Sequence, residues 1–353
     1  MRVVGLVGIL IAVITVGVGI WQVAETPGSF FQEEPPTATP APTPGETVLI
    51  TIVEGESVQD IGEKLEDEGI ISSALLFRVM VALEGYEEKL KAGDYEFEKG
   101  MPTVAVVERL RQGITAPLVV TIREGVRAEE IADLMEDKGI MSREEFLEAI
   151  QASYDFIVLR SKPSGQDLNG YLFPETYFFG RAQTPEEIVQ QILTTFDERF
   201  NEELRQEATN VGLSVYSVLK LASIVEREAV VPEERPIIAS VFLRRLRLGW
   251  PLEADPTVQY ALANDPANVA EYGYWKENLT TQDLEVDSPY NTYRNVGLPA
   301  GPIANPGLDS ILAVIRAEQT NYLYFVAKPD GSHAFAETLE EHLQNIQEYR
   351  GEQ

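Results

Sequence analysis

Two glutamates two residues apart stand in the segment Leu219–Ala229, LKLASIVEREA. Ser214 can cap a helix there, and no Gly or Pro interrupts Ser214 to Val230, so the pattern predicts one helix over 214–230. At about 100° per residue, Val215, Val218, Leu219, Ala222, Val225 and Ala229 share a face. Glu226 projects at the edge of that face, between Val215 and Leu219. A carboxylate in an apolar setting loses hydration, which raises its pKa. A glycosidase-type general acid needs that shift, because it must hold a proton near neutral pH. Glu228 projects on the opposite side, between Leu221 and Ile224, and the helical wheel does not choose between the two. The structural alternative for Glu226 is an ion pair with Arg244, Arg245 or Arg247 of the next helix.

The composition removes other chemistries. There are no cysteines, so thiol nucleophiles, disulfides and Cys-ligated zinc are excluded. His333 and His342 are the only histidines, and neither HExxH nor GxSxG occurs. No metal or organic cofactor is expected. A formal net charge of −29 over 353 residues repels phosphate backbones, so nucleic acid is not an expected partner. With 44 % hydrophobic and 24 % charged residues the composition is globular.

The elements that must position these carboxylates follow a leader. Val3–Trp21 is apolar except for Thr15 and spans roughly 28 Å as a helix, enough to cross a bilayer. A cut after Ala24 would put Gln22 where a signal peptidase needs a small residue, so residues 1–24 are expected to be an uncleaved transmembrane anchor. Arg2 precedes the run and Glu25, Glu33 and Glu34 follow it, which places the N-terminus in the cytoplasm and the rest outside the cell membrane. Residues 25–46, rich in Pro and Thr, are expected to form an extended linker.

Two copies of one module come next. Thr51–Ser72, TIVEGESVQDIGEKLEDEGIIS, and Thr121–Ser142, TIREGVRAEEIADLMEDKGIMS, agree at ten of twenty-two positions. Each predicts a short strand, a glycine turn, a helix stopped by Gly69 or Gly139, and a second helix capped by Ser72 or Ser73, or by Ser142. Ala92–Gly100 reads as a further strand, and Met101–Gly113 as a helix. The start at Thr51–Leu65 is similar to the first half of a LysM module, a unit that binds N-acetyl sugars; a spacer is the alternative. The modules are placed at 47–116 and 117–165, with the chemistry-bearing domain at 166–353. In that domain Tyr322–Phe335 predicts a hairpin that turns at Pro329–Asp330–Gly331.

The segments ASIVERE (Ala222–Glu228), SVFLRRLRLGWPLEADPTVQYA (Ser240–Ala261), YNTYRNVGLPAGPIANPG (Tyr290–Gly307) and YLYFVAKPDGSHAF (Tyr322–Phe335) closely resemble the MltG/YceG-like endolytic transglycosylases. The resemblance implies that Glu226, the first Glu of V-E-x-E, is catalytic. Substrate contacts are expected at Asp255, Tyr290, Asn291, Tyr293, Glu175 and His333, Asp255 as a carboxylate that matches the family and the others for their hydroxyl, amide, aromatic or acidic groups. For Asp255 the structural alternative is a helix N-cap with Pro256 at N1, and for His333 a packing role. Where the family usually has an acidic residue before Gly, this chain has Asn169, and Glu175 only approximates that carboxylate.

The implied reaction cuts the β-1,4 bond between N-acetylmuramic acid and N-acetylglucosamine inside nascent peptidoglycan strands. Glu226 first protonates the glycosidic oxygen. It then takes the proton of the muramic C6 hydroxyl, which closes on C1 and leaves a 1,6-anhydro end. The nucleophile is tethered, so the second carboxylate of ordinary glycosidases is not required. The resemblance further implies peptidoglycan strands and the bilayer as partners, and penicillin-binding synthases as possible ones. The expected fold is α+β: an N-terminal transmembrane helix, two small LysM-like αβ modules and a mixed α/β catalytic domain. The alternatives are a hydrolytic muramidase, with Asp255 or Glu175 as base or nucleophile, and a non-catalytic glycan-binding tether.

Overall fold

The computed structural model describes residues 46–350 apart from 114 and 182. The expected anchor at 1–24, and all but the last residue of the linker at 25–46, lie outside the described residues. Among the described residues no single helix is long and apolar enough to cross a membrane.

The first module runs β1 (Thr47–Ile52), α1 (Val58–Asp67), α2 (Ala74–Glu84), β2 (Gly93–Glu98) and α3 (Thr103–Gln112). Alternation in β1 turns Ile50 and Ile52 inward, and β2 pairs with it antiparallel, Ile50 opposite Tyr95. Ser57 caps α1 by accepting from the Asp60 N–H, and Ser73 caps α2. Gly69 ends α1 as expected. With φ +72 it lets its own N–H reach Glu66 O at 2.9 Å while Ile70 N–H reaches Leu65 O at 2.9 Å. Leu65, Phe77, Tyr95, Phe97 and Leu110 lie in a hydrophobic core that this module keeps to itself.

The second copy repeats the order: β3 (Leu118–Thr121), α4 (Ala128–Asp137), α5 (Arg143–Ala149), β4 (Thr176–Phe179) and α6 (Pro185–Arg199). The strand that pairs with β3, β4, lies past the boundary expected at 165. The second copy and the following region therefore share one core, which runs from Val120 to Ile315.

The remainder is α7 (Glu202–Asn210), α8 (Val215–Glu228), α9 (Arg235–Leu248), α10 (Asp255–Leu262), α11 (Pro266–Tyr272), α12 (Leu308–Ile315), β5 (Tyr324–Ala327), β6 (His333–Ala336) and α13 (Leu339–Arg350). The strands β5 and β6 form the expected hairpin. Among the described residues the three sheets are each two-stranded, so the fold is α+β. Ser214 caps α8 through the Ser217 N–H, as its position predicts. The single apolar face expected of α8 does not hold. Tyr216, Leu221, Ser223 and Ile224 are buried as well as Val218, Leu219, Ala222 and Val225, because α7, α9, α10 and α12 all pack on this helix.

Three segments around α8 meet at two buried asparagines. Asn305 Oδ1 accepts from Gly170 N–H (2.7 Å) and Leu172 N–H (3.0 Å). Its backbone N–H donates to Val126 O at 2.8 Å, and its carbonyl accepts from Gly125 N–H at 2.9 Å. Asn169 Oδ1 accepts from Ala128 N–H at 3.0 Å, and its Nδ2 donates to Pro302 O at 2.8 Å. A carboxylate at 169 has no proton to give Pro302, so Asn169 acts here as an internal tie. Gly170 is required beside it: its φ is +90, and a Cβ there would lie 2.5 Å from the Pro302 ring. Asn305→Ala strands two buried N–H groups, each worth roughly 1–3 kcal/mol, so unfolding in urea should show a loss of about 3 kcal/mol. A loss below about 1 kcal/mol would remove Asn305 as the anchor of this junction.

Candidate active site

Glu226 sits in the last turn of α8, with its side chain only 6 % exposed. The connection to α9 is short, so the first residue of α9, Arg235, lies beside it. Arg235 Nη2 donates to Glu226 Oε1 at 3.3 Å. Gly307, the N-cap of α12, donates its N–H to Glu226 Oε2 at 3.0 Å. The carboxylate thus meets the N-terminus of α12, where an orphan N–H and the helix dipole favour negative charge, and the guanidinium of Arg235. An ion pair with an arginine of the next helix is present, but through Arg235. Arg244 reaches Asn321, and Arg245 reaches Leu323 O, Leu252 O and Glu253 further along α9.

A second carboxyl stands beside the first. Glu124, in the glycine turn after β3, fills the place that a Cβ on Gly307 would take. Glu124 is exposed on one side, and desolvation of its packed side pushes its carboxyl up from the ordinary value; the charges of Glu226 and Asp309 push the same way, and Arg235 opposes them. Asp309 approaches Arg235 at 3.9 Å. Next to Glu226, Arg227 lays its guanidinium 3.9 Å over the Trp275 ring, and Trp275 Nε1 donates to Glu130 at 2.9 Å. The sequence alone does not mark Glu124 and Arg235 as neighbours of Glu226, or Trp275 as the partner of Arg227. Glu124 occupies a repeat position, and like its twin Glu54 it is an exposed turn residue, so the motif carries no sign of a site.

Asp255, Tyr293 and His333 do come together, on the wall of a cavity of about 280 Å³ that they share with Glu228, Arg245 and Glu253. Glu226 is not on that wall. Asp255 accepts from the Tyr293 hydroxyl. It is not an N-cap: Ala254 holds that place, and the Asp255 side chain turns to Tyr293. Burial, then the bond to Asp255, pushes the Tyr293 hydroxyl up. The His333 ring is buried, with Nδ1 2.7 Å from Glu234 Oε2. Glu253 takes φ +53 at the cavity rim, a left-handed backbone that costs about 1–2 kcal/mol for a side-chain-bearing residue. Arg245 at 2.9 Å and Thr292 O at 3.2 Å hold it there.

The other expected contacts lie elsewhere. Asn291 is fully buried; its Nδ2 donates to Leu284 O (2.9 Å) and Val286 O (2.8 Å), and its Oδ1 accepts from Tyr293 N–H. It braces the Tyr293 loop and has no free face for a sugar. Tyr290 lies 4.6 Å from Tyr260, the rings tilted by 46°, and the Tyr260 ring lies 4.1 Å from the buried Arg127 guanidinium. Glu175 pairs with Arg199 at 2.8 Å and accepts from the Thr176 N–H, with no contact to the surroundings of Glu226.

The YceG-like family pattern matches residues 50–348. A Bacillus subtilis protein named endolytic murein transglycosylase is 34 % identical over 316 residues, covering 86 % of this chain and 85 % of that one. A Streptococcus pneumoniae protein of the same name is 32 % identical over 327 residues, covering 86 % of this chain and 58 % of its own. The crystal structure of a putative yceG-like protein from Listeria monocytogenes superposes with a TM-score of 0.57 at 35 % identity, over 85 % of this chain and 98 % of that one. A match this long, running from β1 through the hairpin into α13, establishes that the chain belongs to the YceG-like family.

Proposed function

We propose that this chain is an endolytic murein transglycosylase that cuts the β-1,4 bond between N-acetylmuramic acid and N-acetylglucosamine within glycan strands. The names of its relatives support the reaction class. The observation that carries the assignment to residues is Glu226, a buried carboxylate in the last turn of α8, gripped by Arg235 and by Gly307 N–H. Glu226 acts as acid on the glycosidic oxygen as the C1–O bond breaks. It then acts as base on the C6 hydroxyl as the C1–O6 bond closes. One carboxylate serves both steps because the attacking hydroxyl belongs to the substrate. Arg235 keeps its buried Nε–H without an acceptor among the described residues.

The cavity with Asp255, Tyr293 and His333 is the proposed resting place of the strand beyond the cut. Its polar lining suits hydroxyl and amide groups. The strand–helix–helix–strand order of the first module supports reading it as LysM-like, a holder for the same glycan. The apolar run at residues 3–21 and the linker after it support anchoring in the cell membrane, with the site outside and within reach of the synthases that lay down new strands.

Incubation with uncrosslinked glycan strands, followed by mass spectrometry of the new ends, tests this reading. Ends lighter by one water are expected. Glu226→Gln should reduce their formation by about 10²–10⁴-fold while thermal unfolding stays cooperative, and Glu228→Gln should not do so. Hydrated reducing ends would assign hydrolysis instead. Strand binding without cleavage by the unmodified chain would leave only a tether.

A further inference from the structure

We propose that the outer face of α2, in the first module, lies on the lipid surface of the membrane that holds the anchor. This rests on the reading of residues 3–21 as a membrane anchor, and it gives the chain a second contact with the same bilayer.

The helix α2, ALLFRVMVALE, turns Ala74, Phe77 and Val81 inward. At about 100° per residue, Leu75, Val79, Leu83 and Leu76 follow one another around the other side, within an arc of about 100°. All four are exposed: Leu83 by 82 %, Leu75 by 67 %, Leu76 by 47 % and Val79 by 45 %. Single exposed leucines are ordinary on a protein surface, but a contiguous patch of them marks a surface that meets something apolar. Ala82 and then Arg78 border the patch, and Glu84 falls on the other side of the helix. Of the 353 residues 57 are acidic, yet none stands between Ile70 and Leu83. The face therefore presents hydrocarbon edged by a cation and carries no charge that anionic headgroups would repel.

The second copy supplies the comparison. Ser73 caps α2 by accepting from the Leu76 N–H, and Ser142 caps α5 by accepting from the Glu145 N–H. In that register the buried Phe77 matches the buried Phe146. Leu75, Leu76 and Val79 match Glu144, Glu145 and Glu148, all three exposed. On the same inward-facing framework one helix has the outer face that water favours, and the other has an apolar one. The difference goes with position in the chain. The first module opens at Thr47, and the apolar run ends at Trp21. Even fully extended, at about 3.1 Å per residue, the residues between hold β1 within about 80 Å of the bilayer. A tether of this length keeps the module at high effective concentration over the lipid, so a patch of modest affinity is used. A helix of this kind lies in the plane of the interface with its apolar side chains about 5–10 Å into the boundary of headgroups and acyl chains. Docking holds the first module at the membrane instead of letting it range over the reach of the tether.

The chain has no cysteine, so one introduced cysteine carries one probe. The full chain is reconstituted in vesicles of phosphatidylethanolamine and phosphatidylglycerol. An environment-sensitive dye is placed on Leu75→Cys, or on Glu144→Cys at the matching position of the second copy. Emission from position 75 should shift to the blue and be quenched by lipid that carries a nitroxide near its headgroup. Emission from position 144 should stay water-like. Adding Val79→Asp and Leu83→Asp, both at exposed positions, should return position 75 to water-like emission while thermal unfolding stays cooperative. Water-like, unquenched emission from position 75 in vesicles that carry the chain overturns the proposal. So does a blue shift without quenching by lipid, which assigns the face to a protein partner, and to a second copy if the shift grows with the ratio of protein to lipid. Flotation of the vesicles tells the two failures apart. A chain that does not float with them defeats the anchor and the docking together. A chain that floats with position 75 unquenched defeats the docking alone.

Discussion

Asn305 is where the molecule is tied together. Its side-chain carbonyl takes the N–H groups of Gly170 and Leu172, its backbone N–H goes to Val126 O, and its own carbonyl takes the N–H of Gly125. One residue therefore satisfies the backbone of three segments that come from the second repeat, the loop before β4 and the loop before α12. Buried polar groups in a low-dielectric interior must be paired or lose several kcal/mol, so such a junction is rigid when complete. Two residues on from Asn305 stands Gly307, whose N–H holds Glu226. One residue before Gly125 stands Glu124. The position of both carboxyls is thus a consequence of how Asn305 is satisfied.

The charge of the chain makes that arrangement costly in one sense and useful in another. With 57 acidic and 28 basic residues, a carboxylate has few cations to choose from. The structure places one arginine, Arg235, among Glu226, Glu124 and Asp309, and adds the N-terminus of α12. Backbone N–H groups do not titrate and cannot swing away, so they supply positive potential that no acidic surface neutralises. The packing of α7, α9, α10 and α12 on α8 buries the other sides of the helix that carries Glu226.

Local patterns were legible in the sequence because local physics decides them. The caps at Ser73, Ser142 and Ser214, the Gly69 stop, the β5–β6 turn and the duplicated strand–helix–helix order follow from residues within a few positions of each other. What was not legible depends on partners far along the chain. The strand that pairs with β3 lies beyond α5 and an irregular stretch, so no local signal marks it. A helical wheel does not say which end of the next helix meets Glu226, so it does not separate Arg235 from Arg244, Arg245 and Arg247; the short turn after α8 does. Asn291 has the same chemical groups as a sugar-binding amide, and only its burial shows that backbone carbonyls already use them. Asp255 before Pro256 has the pattern of a cap, yet Tyr293 lies within reach and takes the side chain.

The two repeats show how a structural unit becomes part of a site. In the first copy Ser57 caps α1 with its side chain. The matching residue in the second copy is Arg127, fully buried, paired with Glu129 at 2.7 Å and stacked on Tyr260 at 4.1 Å. On the same helix Glu130 accepts from Trp275, and Asp133 accepts from the Tyr274 hydroxyl. The corresponding first-copy residues, Asp60 and Glu63, are exposed. The second copy has therefore kept the fold and changed one face. Exposed acids became acceptors for α11-side aromatics, and a small cap became a buried cation. That face brings the glycine turn against α8, and with it Glu124. A carboxyl that is an ordinary turn residue in one copy becomes a neighbour of the catalytic candidate in the other, through packing changes several residues away from it.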